Sequence, residues 1–240
     1  MSSSPVDLRV DWCSYKAAKY AVEHWHYSRS MPTPPVIRIG AWECEKYIGC
    51  VLFSRGANKN LGGPYGLINT EVAELTRVAL DNHQSTVSQI LAKSIRLLRD
   101  KEKGLRLLVS FADKNESHHG GIYQASNWIY TGETQPSYKF EDKYGNIWHP
   151  RQVSKTGIKP QYGELRRVAK TEDCKRIFQF GKHRYLYPLD RAMRRQIAPL
   201  AQPYPKRDTR PVNGDTLATS EAGRFNSEPG ALIEAEPHGD

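Results

Sequence analysis

The nine residues LRLLVSFAD, 105–113, form a nearly continuous apolar run, bounded before by Gly104 and after by a polar stretch. A strand that is apolar on both faces must be covered on both, so the run predicts a central strand with other elements packed over it. The preceding segment supplies a cover. Residues 85–103 place Val87, Ile90, Leu91, Ser94, Ile95 and Leu98 on one helical stripe, with Lys93, Arg96 and Arg99 outside it and Gly104 as the C-terminal stop. Before that helix, EVAELTRVAL (71–80) reads as a strand.

Around this centre, VDLRVDW (6–12) alternates as a short strand. Ser14 can cap a helix carrying Tyr15, Ala18, Val22 and Trp25, which Pro32, Pro34 and Pro35 bring to an end. VIRIGAWEC and YIGCVLFSRG form two strands turning at Glu45-Lys46, followed by a Gly/Asn-rich loop over 56–66. A second helix is expected near Gly120, carrying Tyr123, Gln124 and Trp128, then a strand at IYTGET. Residues 139–180 read as a basic insertion, and HRYLYPL as a last strand. The fold class is therefore α/β, with a mixed sheet flanked by helices. The expected domain covers 1–200, with a basic C-terminal extension whose block is 151–200. Residues 201–240, rich in Pro, Gly, Ser and acids, are expected to be a disordered acidic tail.

The net charge of +9 is unevenly placed. Residues 151–210 hold 16 Lys/Arg against 5 Asp/Glu, and residues 211–240 hold 1 against 6. A concentrated basic block can bind phosphates by releasing counterions, although a basic face can also serve solubility alone. No apolar run reaches membrane-spanning length, and the opening MSSSPVDLRVDW lacks a signal-peptide layout, so the expected compartment is the cytosol. Cys13, Cys44, Cys50 and Cys174 form no CxxC pair, which there points to free thiols rather than disulfides or zinc.

Three clusters carry candidate chemistry. HWHYSRSMP (24–32) sets His26 and Tyr27 where a helix meets a Pro-rich loop, though an imidazole at His26 can equally serve as a helix-terminal cap. In ELTRVAL, simple alternation puts Glu74, Thr76 and Val78 on one face and Leu75, Arg77 and Ala79 on the other. Arg77 then needs an anion among apolar neighbours, either a ligand or an acid of its own chain. In SFADKNESHHGGIYQASNW (110–128), Asp113 ends the central strand and Tyr123 follows the Gly120-Gly121 pair. Asp113 can act as a base, a metal ligand or a simple cap.

These three motifs, in this order, resemble the Mom proteins of Mu-like phages, from about Trp25 to Gly132. The resemblance implies a fold like that of the GNAT acetyltransferases, whose element order the segments above also follow. It implies conversion of adenine in double-stranded DNA to a carbamoylmethylated adenine, which protects phage DNA from host restriction. Carried over by position, the implied site comprises His26, Tyr27, Arg77, Asp113 and Tyr123, with Arg77 and Ser88 toward a cofactor or donor. Iron is associated with such proteins, and His26 and Asp113 are the candidate ligands. One departure bears on acyl-CoA: the turn DNHQSTVSQ lacks the glycine-rich pyrophosphate loop, which weighs against acyl-CoA, although Ser88 and exposed amides there can still hold a phosphate. Tyr27, Tyr65 and Trp128 are candidates to stack on an extruded base. Two other functions compete with DNA modification. An ordinary N-acetyltransferase is opposed by the glycine-free turn, and a non-catalytic DNA-binding phage protein leaves Arg77, Asp113 and Tyr123 without a role.

Overall fold

The computed structural model of the protein describes residues 6–56, 58–161 and 163–206. Of the tail expected over 201–240, residues 207–240 lie outside them, whereas 201–206 are described and tied down: Gln202 N–H donates to the Tyr130 carbonyl and the Tyr204 hydroxyl to the Trp128 carbonyl. The chain divides into two compact units. One takes the chain up to Phe111, Gly120–Thr131 and the chain from Tyr185 on; the other takes Ala112–His119 and Gly132–Arg184.

The large sheet holds seven strands: β1 (Leu8–Trp12), β2 (Val36–Glu43), β3 (Lys46–Ser54), β4 (Val72–Leu80), β5 (Leu107–Ala112), β6 (Ile129–Glu133) and β12 (His183–Pro188), in the order β1-β2-β3-β4-β5-β12-β6. The first four pair antiparallel, and β4 pairs parallel with β5. The β2–β3 turn is Cys44-Glu45, both at positive φ, one residue earlier than alternation suggested. As expected, the fold is mixed α/β around a mostly antiparallel sheet.

Helix α1 (Tyr15–Trp25) starts where the Ser14 side chain accepts the Ala17 amide, and it buries Ala17, Ala18, Ala21 and Val22 against Cys50, Leu52 and Ala79. Helix α2 (Val87–Lys101) opens in a capping box. Thr86 Oγ1 accepts Gln89 N–H, and Gln89 Oε1 accepts Thr86 N–H. Its buried stripe includes Ile90, Leu91, Ser94, Ile95 and Leu98, as read from the sequence. Helix α4 (Arg191–Ile197) buries Met193 and Ile197 beside Leu107, Val109 and Leu186. Helix α3 (Gly121–Gln124) is a single turn, shorter than expected, because Asn127 takes a positive φ and turns the chain into β6.

The basic segment 139–180 is an insertion between strands β6 and β12 of the large sheet, not an appendage after them. It holds β7 (Ser137–Glu141), β8 (Ile147–Trp148), β9 (Ile158–Gln161), β10 (Glu164–Arg167) and β11 (Lys175–Gln179). They form one small sheet ordered β11-β7-β8 and a β9–β10 hairpin. Among the described residues no helix is long and apolar enough to cross a membrane, and the four cysteines are free thiols.

Candidate active site at the β4–β5 gap

Strand β4 is bulged. Leu75 pairs with Phe53 but Arg77 pairs with Leu52, so Thr76 is the extra residue, and its hydroxyl donates to the Leu52 carbonyl. The bulge reverses the alternation that the sequence suggests. Glu74, Arg77 and Ala79 lie opposite Ser54, Leu52 and Cys50 and therefore share one face, the face that α1 covers. The assignment of Arg77 and Glu74 to opposite faces is corrected.

The parallel ladder of β4 and β5 ends at Glu74↔Val109. Beyond it side chains take over. Ser110 Oγ donates to the Leu75 carbonyl at 2.8 Å and lies 2.7 Å from the Tyr123 hydroxyl. A serine has one proton to give, so Tyr123 must be the donor of the second bond. Burial pushes the Tyr123 hydroxyl up to about 12; the Ser110 bond opposes this, while Tyr27 and Glu74 add to it. Tyr123 is thus a held hydrogen-bond donor at neutral pH, close enough to Glu74 and Tyr27 to feel both. Its ring packs on Tyr185 and Trp128, with centroids 5.0 and 5.2 Å away. Gly120 makes room for this cluster. It sits at φ 83°, and a Cβ there would come within 2.3 Å of the Tyr185 ring.

The end of α1 lies on the same unit. His26 Nδ1 accepts the Ser28 amide at 3.1 Å and is 2.8 Å from Ser28 Oγ, so the neutral imidazole carries its proton on Nε2. Arg77 Nε donates to the Ser30 carbonyl at 3.2 Å, and Nη1 to the Thr76 carbonyl at 2.8 Å. Both partners are neutral, and none of the ion pairs among the described residues involves Arg77. A half-exposed guanidinium without a carboxylate suits an anionic ligand. Tyr27 is 56 % exposed and offers a ring to solvent, whereas Trp128 and Tyr65 are buried core residues and have no free face for a base. Their proposed stacking role is withdrawn.

Asp113 belongs to the second unit. One oxygen accepts the Asn115 amide and side chain, and the other meets Lys182 Nζ at 2.7 Å. Burial would raise its pKa, but the Lys182 and Asn115 bonds hold it below the ordinary carboxylate value. It caps the 3-10 turn Lys114–Glu116.

The sequence pattern of the Mom protein family matches residues 7–206. The chain belongs to the Mom protein family. It is 25% identical over 209 residues to the methylcarbamoylase Mom of Escherichia phage Mu, covering 83% of this chain and 84% of that one. Among solved structures it is similar to a GNAT-family acetyltransferase from Streptococcus pneumoniae (TM-score 0.41, 10% identity, 77% of this chain and 100% of that chain). It is also similar to an N-acetyltransferase from Staphylococcus aureus Mu50 (TM-score 0.40, 13% identity, 76% and 97%).

Two groups suggested for this Mom-family chain can be tested against its side chains. At the turn before α2, the Glu43 carboxylate takes up backbone amides. Its carboxylate is 7% exposed and accepts Gln84 N–H at 2.9 Å and Ser85 N–H at 2.7 Å. Gln89 takes Thr86 N–H, and Ser88 Oγ lies 3.0 Å from Thr86 Oγ1. The amides of this turn are therefore taken by the chain's own oxygens and form no exposed-amide cradle of the phosphate-loop kind. Of the two candidate iron ligands, His26 meets Ser28 through Nδ1, which leaves Nε2 as its ligating atom, and Asp113 meets Lys182 and Asn115 within the second unit. The described residues hold no group of three His, Cys, Asp or Glu side chains suited to a metal.

The Glu43 bonds carry their own test. Burial alone would raise its pKa, but the Gln84 and Ser85 bonds outweigh that and lower it. A depressed carboxylate stabilises the fold above its unfolded pKa, and that stability is lost as pH falls through the folded pKa. Glu43→Gln should lower stability near neutral pH by roughly 1–2 kcal/mol. Thermal melts of both proteins should converge in acid, and a constant gap down to low pH would contradict the assignment.

The sequence alone did not single out Ser110, Glu74 or Glu43. Ser110 stood in an apolar run, which was itself a signal. Glu43 bonds to residues 41 and 42 positions away and left none.

Proposed function

We propose that this Mom-family chain is a transferase that places a carbamoylmethyl group on the amine of adenine in double-stranded phage DNA, inside the bacterial cytosol, and so shields that DNA from restriction. The observation that carries the reading is the family match over residues 7–206. The clustering of motif residues at the gap between β4 and β5 supports it.

In this reading the adenine leaves the base stack, at a cost of a few kcal/mol, and rests against Tyr27. Arg77 holds the anionic part of the donor, with Ser88 as a secondary polar group. The amine forms a bond to the donor's methylene carbon as the donor's leaving group departs, and it gives up one proton. Glu74 is the carboxylate assigned to receive that proton, because it shares the face of Arg77 and acts on Tyr123. Tyr123 donates a hydrogen bond, and His26 with Ser28 sets the loop that carries Ser30, the partner of Arg77. Asp113 is assigned to fix Lys182, not to act as the base.

Purified plasmid from cells expressing the chain should resist restriction enzymes whose sites contain adenine and remain sensitive to those whose sites contain only G and C. Equal sensitivity to both groups, at good expression, would overturn the reading.

A further inference from the structure

The second unit carries an aromatic row that the site at β4 and β5 does not use. Strands β7 and β11 pair antiparallel with Tyr138 opposite Phe178 and Phe140 opposite Arg176, so these four side chains share a face. Tyr138 and Phe178 are each 47 % exposed, and Phe180, just past the strand, is 55 % exposed. The rings are contiguous. Tyr138 meets Phe178 at 5.7 Å between centroids and 76°, and Phe178 meets Phe180 at 5.2 Å and 88°. Rings crossing at right angles do not close into a stack, and about half of each side chain stays open to solvent.

Cations flank this row. Lys114 Nζ, which also pairs with Glu133, lies 5.8 Å from the Phe180 ring, and the Arg176 guanidinium, on the same face as the row, lies 6.0 Å from buried Phe140. Lys139 and Lys175 are exposed on the opposite face of the same two strands. Residues 132–184 hold 12 Lys/Arg against 6 Asp/Glu. A surface that docks another protein is depleted of charge at its centre and in Lys around it. Exposed aromatics amid excess cations instead match what a single nucleic-acid strand offers, flat bases joined by phosphates.

We propose that Tyr138, Phe178 and Phe180 form a stacking platform for unpaired bases of single-stranded DNA. The inference rests on reading the chain as one that acts on DNA. A modified adenine must leave its duplex, and a platform for unpaired bases would hold the opened strand.

The test uses the full chain and two labelled probes, an oligo(dT) and a duplex of equal length, titrated by fluorescence anisotropy at several salt concentrations. Replacing all three aromatics by Leu keeps apolar area but removes stacking. Affinity for oligo(dT) should fall on the order of 10- to 100-fold. Duplex affinity should change by less than about threefold, and the salt slope should hold, because the cations that meet phosphate remain. Undiminished oligo(dT) binding, or equal loss on both probes at an unchanged melting temperature, would overturn the proposal. So would a wild-type dimer that the Leu variant abolishes while strand binding persists. If the triple variant melts early, Phe180→Leu alone, outside the strand ladder, is measured in the same way. Plasmid resistance is scored separately. Adenine-specific protection without oligo(dT) binding removes the platform alone, and oligo(dT) binding without protection removes the modification reading alone.

Discussion

Arg77→Ala should reduce modified adenine by at least about 100-fold, the usual scale for removing a charged group that stabilises a reacting centre, while the melting temperature stays within a few degrees. The reason lies in the partners of Arg77. It donates to the Ser30 and Thr76 carbonyls, which need no cation, and its charge is left for something else. A guanidinium kept for structure would instead be matched to a carboxylate, and its loss would unfold the protein. Arg77→Lys gives the finer test. It keeps the charge but loses the fork that reaches two carbonyls, so activity should fall between the other two. Nucleoside yield measured beside thermal melts separates the cases. A large drop in melting temperature with Arg77→Ala would make Arg77 structural.

The second large effect concerns DNA affinity. Arg166 and Arg167 are exposed on β10, and Arg194 and Arg195 are exposed on the last turn of α4. Arg166 has an exposed acid, Glu164, at 3.8 Å, a distance that constrains it little in water. Changing all four to Gln should weaken duplex binding at every sequence alike. It should also lower the slope of log affinity against log salt by up to about 3.6, about 0.9 for each phosphate that is no longer neutralised. Filter binding across a salt series measures this. An unchanged slope would assign these arginines to solubility.

Much of the fold was legible because its signals are local. The amphipathic stripe of α2, the Ser14 cap of α1 and the continuous apolar run of β5 each follow from neighbours within a turn or a strand. The site was legible only in part. Arg77 stood out as a charge among apolar neighbours and Tyr123 as the tyrosine just after Gly120-Gly121, but the facing of Arg77 could not be read. It depends on a bulge at Thr76 that exists only against the register of β3. Asp113 was visible as a strand-end carboxylate, yet its partner Lys182 is nearly seventy residues away. The insertion escaped detailed reading for a related reason. Its strands are short, and in the small sheet β11 pairs with β7 across more than thirty intervening residues.

The most direct measurement is mass spectrometry of nucleosides from DNA of cells expressing the wild-type chain, with Arg77→Ala cells grown in parallel. The account expects an adenine nucleoside heavier than deoxyadenosine from the wild type and almost none from the variant. Unmodified adenine alone from well-expressed wild-type protein, or equal modification from both, would contradict it.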